Sequence, residues 1–117
     1  MLNNQDYAFI NNTVNSIKST MINLASEYGP DYCSDFLITF ESIKNNTSRL
    51  RLTDVTINEY ISLIRGHNMN VQSHPQGLLV QAHVSSILLA PNDAVALSNS
   101  LQLFRGRAAL NGDYENI

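Results

Sequence analysis

The sequence predicts an all-α fold, a small bundle of about five helices, with α+β as the alternative if residues 78–84 form a strand. Two observations carry that prediction. The first is the spacing of Tyr7, Ile10, Val14, Ile17, Met21, Leu24 and Tyr28, which recur at alternating steps of three and four. On a helix those positions form one narrow apolar stripe that another helix must cover. The second is a repeat of that spacing near the other end, at Ala94, Leu97, Leu101 and Phe104.

Taken in order, the first helix is expected over residues 5–28. Asn4 or Asp6 caps its start, and Gly29-Pro30 ends it. A second, over 31–45, would put Cys33, Phe36, Leu37, Phe40 and Ile43 on one face and fold back as a hairpin. A third, over 56–65, begins at a capping box of Thr56 and Glu59 with Val55 and Tyr60 as its hydrophobic staple. Gly66 follows it at the C′ position.

The fourth helix is expected over 74–90, with Ser73 as N-cap, Pro75 in the first turn and Gln76 closing the box. Its apolar residues lie nearly all round, which suits a buried element or one facing a partner. The strand alternative rests here: Val80, Ala82 and Val84 alternate with Gln81, His83 and Ser85. Pro91 then stops the chain, Asn92 or Asp93 caps a fifth helix over 93–105, and Gly106 ends it. The whole of 1–117 reads as one helical domain, with 108–117 as a mobile tail.

A chain of 117 residues can bury roughly two-thirds of its unfolded surface, enough for one core. Only 15% of residues are charged and the net charge is −3, so little keeps copies apart and no whole-surface attraction to nucleic acid exists. One cysteine, an N-terminus without a basic and apolar leader, and no apolar run long enough to span a bilayer make the cytoplasm the expected compartment and exclude a membrane span.

Chemistry is sparse. Cys33 lies on the apolar face of the expected second helix between Asp31 and Asp35, which reads as a core thiol. His67, His74 and His83 lack the i, i+4 spacing that places two imidazoles on one helical face, so no metal site is expected. The glycines stand singly and form no phosphate loop. Of them Gly77 alone lacks a turn or helix end to explain it, and close approach of a neighbouring helix is its expected use. No catalytic residue and no cofactor is predicted.

The remaining candidates are surfaces. Leu97, Leu101 and Phe104 are the expected partner interface of a homodimer. Lys44, Arg49 and Arg51, grouped around a polar loop, offer donors for phosphate. The function expected is therefore a non-enzymatic protein-interaction module, of the kind found among small bacterial or phage regulators, adaptors and chaperones, acting by binding another protein. The alternative is a nucleic-acid-binding regulator using the basic loop.

Overall fold

The computed structural model describes residues 2–110. Within them the order is α1 (Asn4–Tyr28), β1 (Cys33–Thr39), α2 (Phe40–Thr47), α3 (Asp54–Arg65), β2 (Asn70–His74), β3 (Gly77–His83) and α4 (Pro91–Leu110). The all-α bundle is thereby overturned. Four helices accompany a three-stranded antiparallel sheet of order β1-β3-β2, and the fold is α+β.

α1 forms as its stripe dictates. Asn3 caps it through a reciprocal box with Asp6, and Gly29, at φ 85°, takes a conformation that side chains resist. The stripe residues Ile10, Val14, Ile17 and Met21 are buried, in a core to which a sheet contributes as well as helices. Leu78, Val80 and Ala82 of β3 and Val71 of β2 lie in the same core, joined by Tyr60 and Ile64 of α3. At the stripe's ends Tyr7 and Tyr28 stay exposed.

The second expected helix is half strand. Cys33, Phe36, Leu37, Phe40 and Ile43 fit steps of three and four, yet Ser34, Phe36 and Ile38 also fit a period of two. Pairing decides the matter: Phe36 lies opposite Val80 and Ile38 opposite Leu78, partners forty or more residues away that local spacing does not reveal. Helix resumes only at α2, where the Thr39 hydroxyl accepts from the Ser42 amide, 3.1 Å away.

The expected helix over 74–90 is a hairpin and a loop. Ser73, Pro75 and Gln76 imitate a capping box but build a two-residue turn, in which the Gln76 amide donates to His74 Nδ1 at 3.0 Å. The alternation of Val80 and Ala82 with Gln81 and His83 is the strand signal, and both apolar residues are fully buried. Gly77 does permit close approach, but of a strand: a Cβ there would overlap the Ile38 carbonyl of β1.

Smaller differences follow the same logic. Thr53, not Thr56, caps α3, its hydroxyl accepting from the Thr56 amide at 3.3 Å, and Val55 is exposed rather than stapled. α4 runs to Leu110, through the first residues of the expected tail; residues 111–117 lie outside the described residues. α4 packs along α1, and the molecule measures 55 × 28 × 20 Å. Its radius of gyration, 16.7 Å, exceeds the ~13 Å expected of a compact domain of this size.

Candidate functional site

Three clusters of polar or apolar groups stand out from the core. The first is buried and polar. Asp6 projects from the first turn of α1 with no exposure, and both its oxygens are engaged. Arg49 donates to it through Nε at 2.9 Å and Nη2 at 2.6 Å, Tyr60 Oη donates at 2.8 Å, and the Asn3 amide donates at 2.8 Å. The Arg49 hydrogen bonds, more than any other contact, hold the Asp6 carboxyl down at about 2 against the opposing effect of burial. Burial, then the carboxylate, push the Tyr60 phenol up. Four donors around one carboxylate tie α1, α3 and the loop between α2 and α3 together.

That tie changes the standing of the basic loop. Arg49 spends its guanidinium on Asp6, while Lys44 is half-buried and Arg51 is exposed. Of the three expected phosphate donors, Arg49 is thus turned to Asp6 within the fold.

The second cluster is Lys18 with His67. Lys18 is buried on α1, and its Nζ lies 3.1 Å from His67 Nδ1. An ammonium only donates, so Nδ1 accepts and the imidazole is neutral with its proton on Nε2. Burial, then the Lys18 charge, pull the His67 pKa down. The His67 carbonyl also accepts from the Leu88 amide, linking the end of α3 to the segment that leads into α4.

The third cluster is the surface of α4. Leu97 and Leu101 turn toward the core and are half-buried, and together with Leu89, Ala94 and Arg105 they line a shallow groove of about 230 Å³. Phe104 is half-buried with its ring on Gly29. On the other side of the helix Val95 is 62%, Leu103 59% and Leu110 89% exposed. These residues, with Asn99 and Gly106 between them, follow steps of four, four, three and four and so form one stripe. The sequence carries that stripe in full view, but nothing in the spacing says which side of α4 meets α1.

Cys33 requires a correction. It is exposed, not buried, because β1 turns it to the solvent face of the sheet, directly opposite His83. His83 Nε2 lies 3.2 Å from Gln81 Oε1. Among the described residues no group of three or more His, Cys, Asp or Glu is arranged to hold a metal, and no helix is long and apolar enough to cross a membrane. Comparison with protein-family models, with curated proteins and with solved structures found no match in any of the three.

Proposed function

We propose that this protein is a non-enzymatic interaction module that acts by binding another protein, and that it associates with itself as a homodimer through α4. The observation that carries the reading is the bare side of α4. A helix of 20 residues that meets its own chain along one side, and shows Val95, Leu103 and Leu110 to water on the other, presents the kind of patch that marks an interface. Gly106 supports it: no atom lies within 4 Å of where its Cβ would stand, and a glycine inside a helix costs about 1 kcal/mol relative to alanine. Facing a second α4, the missing side chain lets two backbones come close.

Leu97, Leu101 and Phe104 lie on the opposite side of α4, where they hold it to the rest of the fold, so the proposed interface is the face behind them. The cytoplasm is the compartment proposed, since a lone exposed thiol such as Cys33 stays reduced there. Light scattering on the purified chain tests the reading: the mass is expected at twice 13.0 kDa and to return to 13.0 kDa on Leu103→Glu. A monomer at every concentration, unchanged by that substitution, overturns the dimer.

A further inference from the structure

The two outer edges of the sheet are treated differently. β2 is short, and its outward Val71 carbonyl accepts from Arg65 Nη2 of α3 at 3.0 Å, so that edge is partly closed. β1 is seven residues long, and among the described residues it pairs with β3 only. The flanking bonds fix which of its groups are open. Val84 donates to the Tyr32 carbonyl and Phe40 donates to the Gln76 carbonyl, so the even-numbered residues between them bond to β3. The amides and carbonyls of Cys33, Asp35 and Leu37 and the Thr39 amide therefore point away from the sheet, while the Thr39 carbonyl begins α2.

Beside this open edge runs a groove of about 210 Å³ between α1 and β1, with Ile17, Phe36 and Ile38 on its floor and Thr13, Ser16 and Thr20 along its rim. A strand laid on the edge would drop every second side chain into it. The stretch of chain that carries the edge is one-signed in charge. From residue 19 to residue 43 the chain carries Glu27, Asp31, Asp35 and Glu41 with no lysine or arginine.

We infer that the open edge of β1 receives an extended segment of a partner protein as a fourth strand, apolar at the positions over the groove and basic at the positions beside Asp35. The inference deepens the reading of the chain as a protein-binding module and rests on it. A second copy is the less suitable occupant, because pairing β1 with itself would bring two sets of these carboxylates together. The main-chain bonds supply affinity and the alternate side chains supply selectivity, as in other strand additions.

The probe is an end-blocked fluorescent peptide alternating valine with lysine and matched in length to β1, followed by anisotropy on the full chain. Two control peptides replace lysine by glutamate or N-methylate the bonding amides. The lysine peptide is expected to bind at least about tenfold more tightly than either control. Asp35→Lys should reverse the order of the lysine and glutamate peptides. Leu37→Pro removes an outward amide while sparing the bonds to β3, and should weaken both.

Equal binding of the N-methylated peptide, or indifference to Asp35→Lys, overturns the inference. A dimer that Leu37→Pro dissolves gives the edge to a second copy and overturns it as well. An α4-dependent dimer that ignores every peptide defeats the strand addition alone, whereas a monomer that binds the lysine peptide defeats the α4 reading alone.

Discussion

Asp6 is the residue on which the most polar contacts converge. Because its oxygens accept from Arg49, Tyr60 and Asn3, removing the carboxylate takes the acceptor from a buried phenol and from a partly buried guanidinium. Asp6→Ala is expected to cost about 3–5 kcal/mol in chemical denaturation. The same carboxyl sets an acid limit. Its folded pKa of about 2 lies below the ordinary 3.8, so its contribution is complete above about pH 4 and fades as pH falls toward 2. The difference corresponds to roughly 2 kcal/mol. His67 acts earlier and with the same sign: its pKa is depressed in the fold, so stability is complete above the ordinary 6.5 and declines as pH falls below it. A denaturation series from pH 8 to pH 3 should show that first decline, and His67→Gln should flatten it. The sequence displayed Asp6 only as a helix cap. Its partners stand 43 and 54 residues away, and no spacing rule connects them. Cys33 takes the other face for a related reason, since its face depends on a strand pairing; exposed, it should be labelled by a thiol reagent in the native state without waiting for the fold to open.

At the scale of elements, what was legible was what is local. α1, α3 and α4 were readable because each carries its own stripe or terminal signals; the bounds of α1 and α3 fall within two residues of those expected, whereas α4 runs through Gly106, its expected stop, to Leu110. β1 was not readable, because a strand of mixed apolar residues takes its identity from the strand beside it, and β3 was legible only as the alternative strand over 78–84, through the alternation of Val80, Ala82 and Val84. Gly77 marks the point where the two meet. Gly77→Ala should cost about 3 kcal/mol or more, since the β1 backbone has to move, and Gly106→Ala should leave the isolated fold unharmed. Thr53→Ala should cost about 1 kcal/mol through its lost cap. Thermal denaturation that placed Gly106→Ala below Gly77→Ala would refute the β1·β3 register.

For the whole molecule, length is the informative property. A chain of low charge whose radius of gyration exceeds that of a compact domain has surface its own core does not use, and α4 holds much of it in apolar form. The low charge and the second stripe were visible in the sequence; the direction in which α4 turns was not, because Leu97 and Leu101 compete with Val95 and Leu103 for the same role. The candidate surface was thus half legible, as an element but not as a face. Amide hydrogen exchange on the native chain at about 10 µM and again at about 1 mM tests this most directly, because association protects in proportion to mass action. Slower exchange along α4 at the higher concentration, with α3 and the sheet unchanged, is the expected result. Exchange along α4 that is fast and identical at both concentrations would contradict its role as an interface between copies.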